Sequence, residues 1–140
     1  MAKQRLEGDF RNQLKNQENL WFMKLQVFPG AHTATPADFM ILTPSRRILV
    51  ECKENRSKIY TFSRSTQTED LLRFRMKHLS NDAYYLINFW KGTQKKSDYF
   101  LIPVCRYITF EKKIPKKSAN NNDFLEHLSE FKVDIRNIYI

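Results

Sequence analysis

Apolar residues at a helical spacing lie near the start of the chain. They recur at every fourth position, at Leu6, Phe10 and Leu14. Because this stretch lacks proline and is rich in helix formers, it predicts a first helix over residues 3–17. A second helix is predicted from Thr66 to about Ser80, since Thr66 and Glu69 form a capping-box pattern ahead of apolar residues.

Five apolar runs have the length and composition of strands. They span residues 20–28, 37–43, 46–53, 83–90 and 98–102. The first run stops at the Pro29-Gly30 turn signal and predicts a strand, or a helix end leading into one. The second and third runs flank Pro44-Ser45, and we expect them to form a hairpin.

The remaining segments complete the predicted order of elements. A short helical turn is expected after Pro103, and the polar residues 112–122 predict a mobile loop. Asn122 or Asp123 then caps a last helix through Phe131. The order αβββαββα predicts an α/β or α+β protein with a central mixed sheet flanked by helices. Its 140 residues fit a single domain over residues 1–140.

Charged residues lie at the open end of the predicted hairpin. If its centre falls within Pro44-Ser45, residues whose numbers sum to 89 face each other, so Asp38 faces Glu51. Side chains alternate along a strand, so Glu51 and Lys53 project from one face and Cys52 from the other. Two carboxylates and one ammonium should therefore meet on one patch of the sheet.

Two facing carboxylates favour a metal site at this patch. They repel each other unless a cation lies between them. Oxygen ligands without a nearby His or thiolate suit Mg²⁺, or Mn²⁺, rather than zinc. The alternative is a plain ion pair of Lys53 with Asp38 or Glu51 on an exposed face. That alternative is less natural because both faces of the hairpin are apolar, which predicts helices on both sides.

The excess of basic residues indicates the kind of partner that the protein binds. The chain has 24 Lys and Arg against 15 Asp and Glu, a net charge of +9. This excess favours a polyanion such as nucleic acid, or an anionic membrane surface. No segment resembles a basic amphipathic membrane helix, and no apolar run approaches the roughly 20 residues that span a bilayer. Cys52 and Cys105 are too few for a disulfide framework and indicate a reducing, intracellular setting.

At these residues the sequence resembles the PD-(D/E)XK nuclease superfamily, since Asp38, Glu51 and Lys53 fill its three motif positions. Within it, the likeness is greatest to RecU-type Holliday junction resolvases. There an acid-to-acid spacing of this length is followed by a lysine, a polar segment, a helix and two aromatic strands. The segment ECKENRSKIYTF, the helix from Thr66 and the run SDYFLIPVCRYITFEKK take those places. The likeness covers about residues 33–113 and implies a restriction-endonuclease-like αβββαβ core.

The resemblance implies a Mg²⁺-dependent endonuclease that hydrolyses phosphodiesters of branched DNA. Asp38, Glu51 and the backbone carbonyl of Cys52 would hold the metal, and Lys53 would position water and stabilise the transition state. Gln67 is the candidate for a further catalytic residue. Four basic residues are expected to bind backbone phosphates: Arg56, Lys58, Arg64 and Arg73.

The resemblance also implies a cellular role and an assembly. It points to a homodimer in the cytoplasm of a bacterium or phage-infected cell, acting in DNA recombination or repair. Two departures from the family stand out. The segment PGAHTATPA before Asp38 is far shorter than in the resolvases, and Asn12 occupies the place of a helical acid, with Glu7 and Asp9 only nearby.

Two alternatives remain open. One is a nuclease of the same fold that acts on duplex or flapped DNA. The other is a non-catalytic, basic nucleic-acid-binding protein. The facing acids argue against the second, because a pure binder gains nothing from carboxylates where phosphate should lie.

Overall fold

The structure is a computed structural model, and it describes residues 5–25, 37–62 and 66–140. The described chain forms four α-helices: α1 (Arg5–Lys15), α2 (Thr66–Lys77), α3 (Val104–Lys113) and α4 (Asn121–Leu128). It forms eight strands: β1 (Trp21–Lys24), β2 (Phe39–Leu42), β3 (Arg47–Asn55), β4 (Ile59–Thr61), β5 (Asn81–Phe89), β6 (Asp98–Pro103), β7 (Ser118–Asn120) and β8 (Lys132–Val133). Short 3₁₀ turns follow α4 at Ser129–Phe131 and β8 at Ile135–Asn137.

The strands form a mixed sheet of six strands in the order β1-β2-β3-β5-β6-β8. Only β3 and β5 run parallel, because the chain crosses between them through β4 and α2. The other neighbours in this sheet are antiparallel. Strands β4 and β7 form a separate antiparallel pair. The predicted mixed sheet flanked by helices is confirmed.

Helices cover both faces of the sheet, as the two apolar faces of the hairpin predicted. Along β3, Ile48 and Val50 point to one side and Leu49 to the other. Helix α1 covers the first side with Leu6, Phe10 and Leu14, all at most 1% exposed. Helices α2, α3 and α4 cover the second side with Leu71, Tyr107, Phe110 and Phe124. The hairpin is therefore packed between helices on both faces of the sheet.

The register of the β2–β3 hairpin matches the predicted one. Phe39 pairs with Val50, and Leu42 pairs with Arg47, so each pair of numbers sums to 89. The backbone N–H of Thr43 donates to the carbonyl oxygen of Arg46 at 2.9 Å and closes the turn. This register brings the start of β2 next to Glu51.

Several predicted elements were wrong in extent. The short turn after Pro103 is a full helix, α3, which buries Val104, Tyr107 and Phe110 at helical spacing. The predicted loop over residues 112–122 contains β7, which pairs with β4. A three-residue polar strand has no apolar alternation, so only its distant partner reveals it.

The helix ends also differ from the predictions. The N-cap of α4 is Asn120, earlier than predicted, and its side chain forms a reciprocal capping box with Asp123. Helix α2 ends at Lys77 rather than Ser80. Within the described residues, no helix has the length and apolar character needed to cross a membrane. The Pro29-Gly30 turn lies outside the described residues.

Candidate active site

Asp38 lies just before β2 and is held between Leu25 and β3 by backbone hydrogen bonds. Its N–H donates to the carbonyl oxygen of Val50 at 3.1 Å, and its own carbonyl accepts from the N–H of Leu25 at 2.8 Å. The carboxylate turns toward β3, where Oδ2 accepts from the N–H of Cys52 at 2.8 Å. The Asp38 carboxylate thus takes the place of a backbone carbonyl as the acceptor for this N–H, which holds the carboxylate beside Glu51.

Glu51 is buried on the face of β3 covered by α2, with 6% of the residue exposed. Its Oε2 lies 3.1 Å from Nζ of Lys53, which is one-third exposed. Its Oε1 is buried and has no hydrogen-bond partner within the described part of the chain. A buried carboxylate oxygen left in this state costs free energy of folding, and a cation bound at this position would offset that cost.

Burial and the neighbouring carboxylate of Glu51 raise the pKa of Asp38 from 3.8 to about 6. The N–H of Cys52 and the side chain of Glu7 act in the opposite direction. The pKa of the Cys52 thiol is raised well above its ordinary value, mainly by burial and then by the charge of Asp38. The thiol packs on the α1 face of β3, opposite to Glu51, so the backbone carbonyl is the group of Cys52 that lies nearest to the two carboxylates.

The donor set fits a hard divalent cation. Among the described residues, no group of three or more His, Cys, Asp or Glu side chains is arranged as a metal site. Mg²⁺ does not require one, because it commonly uses one or two carboxylates and keeps several waters. The orphaned Oε1 of Glu51 and the repulsion between Asp38 and Glu51 are the features that a cation would relieve.

Known structures add a likeness in fold. No protein-family model and no curated protein matches the sequence. Among solved structures, the chain is similar to Hjc, a Holliday junction resolvase from the archaeal hyperthermophile Archaeoglobus fulgidus, with a TM-score of 0.58. The match covers 94% of this chain and 95% of Hjc, at 14% sequence identity. The fold is shared with a Holliday junction resolvase. This agrees with the restriction-endonuclease-like core expected from the resemblance.

In this resolvase-like fold, α1 places an acid at the edge of the site. The sequence did not decide between Glu7 and Asp9. Glu7 lies close enough to Asp38 to influence the pKa of Asp38. Oε2 of Glu7 forms an ion pair with Nζ of Lys24 at 2.6 Å. Asp9 instead lies beside Tyr99 and forms a long ion pair with Arg5. Of the two acids near Gly8, Glu7 is the one at the edge of the site.

A second acid of β3, Glu54, fixes the helix that carries Glu7. Its Oε1 accepts from the backbone N–H groups of Arg5 and Leu6 at 3.0 and 3.1 Å, which satisfies two free donors at the start of α1. Its Oε2 accepts from Nε of Arg56 at 3.3 Å. Sequence reasoning missed Glu54, although its place three residues after Glu51 puts it on the α1 face of the strand.

The other predicted site residues are only partly brought together. Gln67 is half-buried in the first turn of α2, next to Thr68, whose hydroxyl bonds to that of Tyr85 at 2.6 Å. Tyr85 pairs with Glu51, so the start of α2 lies over the same face of the sheet. Within the described residues, Gln67 forms no hydrogen bond to the triad. Its catalytic role stays a prediction.

The predicted phosphate-binding residues divide among different surfaces. Arg56 and Lys58 line one groove beyond the end of β3. Arg73 lies on α2, where it pairs with Asp70 and lines a separate groove. Arg64 lies outside the described residues.

The pKa of Asp38 gives a stability prediction. Since folding raises this pKa from 3.8 to about 6, the stability gained by holding the proton is present below pH 3.8 and is lost as the pH rises through 6. We expect Asp38→Asn to raise the free energy of unfolding at pH 8 by on the order of 1 kcal/mol, a value reduced for partial exposure. Urea unfolding in EDTA at pH 8 and pH 4 measures the difference.

Comparing the two pH values separates the relief of charge repulsion at Asp38 from a general change in stability. The gain at pH 8 should shrink toward zero at pH 4, where Asp38 of the wild type is protonated in the fold. Asp70→Asn serves as the control, because Asp70 is an exposed carboxylate on α2 with 43% of its side chain exposed. An equal gain at both pH values would mean that repulsion at Asp38 is not the cause.

Proposed function

We propose that the chain, as one nuclease domain over residues 1–140, is a metal-dependent DNA endonuclease that cuts branched DNA. The observation that carries the proposal is the pairing of Asp38 with buried Glu51 beside Lys53, with the pKa of Asp38 raised to about 6. Such a cluster is expensive for folding, and a hydrolytic metal centre is the use that explains it best.

The fold and the charge of the chain support the same function. The fold is similar to that of a Holliday junction resolvase over nearly the whole chain. The net charge of +9 favours binding to the DNA backbone. The RecU-type pattern of the sequence extends the proposal to four-way junctions and to a homodimer, since a two-fold pair of sites is the simplest way to make two symmetric nicks.

Each residue of the site would have a distinct role in phosphodiester hydrolysis. Asp38, Glu51 and the backbone carbonyl of Cys52 would hold Mg²⁺, with Mn²⁺ as a substitute. When bound, the metal supplies positive charge at the scissile phosphate and promotes ionisation of water. Glu51 keeps the ammonium of Lys53 at 3.1 Å, and that ammonium would orient the attacking water and stabilise charge developing on the phosphate. Hydrolysis adds water across one P–O bond, and the departing sugar oxygen takes up a proton.

Cleavage and binding assays with matched DNAs test this proposal. A synthetic four-way junction, a flap and a linear duplex of the same sequence are incubated with the protein, with Mg²⁺ or with EDTA. We expect symmetric nicks in the junction only with Mg²⁺, tighter binding to the junction than to the duplex, and a dimer by light scattering.

The outcomes separate the proposal from its alternatives. Equal cutting of junction and duplex by a monomer would leave the more general nuclease in place of the resolvase. Binding without cutting under any metal would favour the non-catalytic DNA-binding protein. The Asp38→Asn protein, purified in parallel, shows whether any cutting belongs to this chain.

A further inference from the structure

A groove of about 560 Å³ lies at the carboxyl ends of β3 and β5, past Lys53 on the same strand. Three segments line it: the turn after β3, the end of β5 with the two residues that follow it, and the last residue of β7 with the first two of α4. The side chains that matter below are Arg56, Lys58, Lys91, Asn120 and Asn122. We call this the β3–β5 groove. No aspartate or glutamate is among its described lining residues, which combine three cationic side chains, polar groups of neutral charge and the aromatic rings of Phe89 and Trp90.

One wall of the β3–β5 groove holds an arginine in place. Nε of Arg56 donates to Glu54 at 3.3 Å, and its guanidinium lies 5.7 Å from the centre of the Trp90 ring. The guanidinium of Arg5 lies 4.8 Å from the same ring. An arginine held by a carboxylate and an aromatic ring loses little side-chain freedom when it binds an anion. Arg56 is therefore preorganised.

Asp98 lies behind the groove and holds two of its lining residues, Lys91 and Asn121. Its carboxylate lies 3.3 Å from Nζ of Lys91 and 3.2 Å from Nζ of Lys132, and it accepts from Nδ2 of Asn121 at 2.7 Å. Burial acts to raise the pKa of Asp98, but these donors outweigh it and hold the pKa below its ordinary value. Asp98 thus stays ionised and anchors both Lys91 and the asparagine segment.

The remaining groups suit a sugar–phosphate backbone. Lys58 is exposed and has no ion pair within the described residues, so its charge is free to attract an anion. Asn120 and Asn122 are exposed and present amides on the far wall. Lysine, arginine and asparagine side chains are the groups that contact phosphate and sugar in protein–DNA complexes.

The groove lies at a defined distance from the proposed cutting site. Arg56 follows Glu51 by five residues and lies just past the end of β3, and a strand rises about 3.3 Å per residue, so their Cα atoms lie roughly 16 Å apart. One strand of duplex DNA advances about 3.4 Å per nucleotide. Phosphates of one strand also rotate around the helix axis and so lie farther apart than this axial rise, and the separation therefore corresponds to at most about four or five nucleotides.

We propose that the β3–β5 groove binds the backbone of the cleaved strand within about four or five nucleotides of the scissile phosphate. This inference rests on the proposed function, because it takes Asp38, Glu51 and Lys53 as the cutting site. The groove fixes which phosphate enters that site, and it adds Lys91, Asn120 and Asn122 to the residues that contact DNA.

A matched pair of lysine variants tests the groove without requiring cleavage. Lys58→Ala removes an exposed charge in the groove, and Lys15→Ala removes an exposed charge at the end of α1, outside it. Binding to the junction is measured in EDTA over a range of salt concentrations. We expect Lys58→Ala to weaken binding several-fold and to reduce the slope of log affinity against log salt by about 0.9, with no change for Lys15→Ala. Equal effects of the two variants would overturn the proposal.

Neutral phosphates test the predicted position. A methylphosphonate is placed at single positions one to eight nucleotides from the cut. In the wild type we expect the loss of affinity to peak at a position within about five nucleotides of the cut, and in Lys58→Ala no further loss at that position. A position-independent loss in both proteins would reject the groove. If the protein binds DNA but never cuts it, the proposed function fails, while the lysine pair still decides whether the groove binds the backbone.

Discussion

Asp38→Asn and Glu51→Gln are each expected to lower Mg²⁺-dependent cutting by more than about 10³-fold, since a bound metal supplies several kcal/mol at a hydrolytic centre. DNA binding should be retained or become tighter in both variants, because each removes a negative charge from the surface that meets phosphate. Asn at position 38 can still accept from the N–H of Cys52 at the 2.8 Å contact, so the hairpin should stay intact. Single-turnover cleavage and binding in EDTA measure the two effects.

Asp70→Asn is the control for this experiment. It removes one carboxylate from α2, away from Asp38 and Glu51, so cutting at saturating DNA should change little. Because Asp70 pairs with Arg73, this variant controls for the rate and not for the affinity. Isothermal calorimetry with Mg²⁺ gives an independent readout, in which both site variants should lose metal binding. Mg²⁺-dependent cutting at the wild-type rate in either variant would remove that residue from the site.

Lys53→Ala is expected to lower the cleavage rate by at least about 10²-fold, the usual scale for losing one preorganised charge at a transition state. Metal binding should persist, because Asp38 and Glu51 remain. Substrate affinity should change less than the rate, since Lys53 is paired with Glu51 and only one-third exposed. The comparison of rate with affinity separates a role at the reacting phosphate from one in binding.

Lys53→Arg refines the result for Lys53. A planar guanidinium keeps the charge but not the compact shape of an ammonium, so we expect only partial recovery. Lys15→Ala controls for the loss of one exposed positive charge. A Lys53→Ala rate within a few-fold of the wild type would assign Lys53 to the ion pair with Glu51 alone.

The core of the site was predictable because it is built on a local hairpin. The register of β2 and β3 follows from the position of the Pro44-Ser45 turn, so it could be counted on the sequence. The alternation of side chains then placed Glu51 and Lys53 on one face and Cys52 on the other. Both steps depend only on residues fewer than 20 positions apart.

The surroundings of the site were not predictable by the same reasoning. The contact of Glu54 with the start of α1 joins residues 49 positions apart. The approach of Glu7 to Asp38 depends on how α1 packs on the sheet, and its apolar spacing gives no direction for that packing. The β3–β5 groove likewise depends on β7, whose residues Ser118–Asn120 carry no strand signal of their own.

The pairing of β4 with β7 has a consequence for folding. Tyr60 pairs with Ala119, so this two-stranded ladder closes a long loop, and each strand has only three residues. Loop closure is entropically unfavourable, so this short pair depends on core packing, in which Ala119 is buried and Tyr60 contacts Tyr107 and Phe124. The β2–β3 hairpin closes over a few residues and is buried on both faces. The wall formed by Asn120–Asn122 therefore depends on a contact between distant parts of the chain, whereas Asp38 and Glu51 are brought together by a local hairpin.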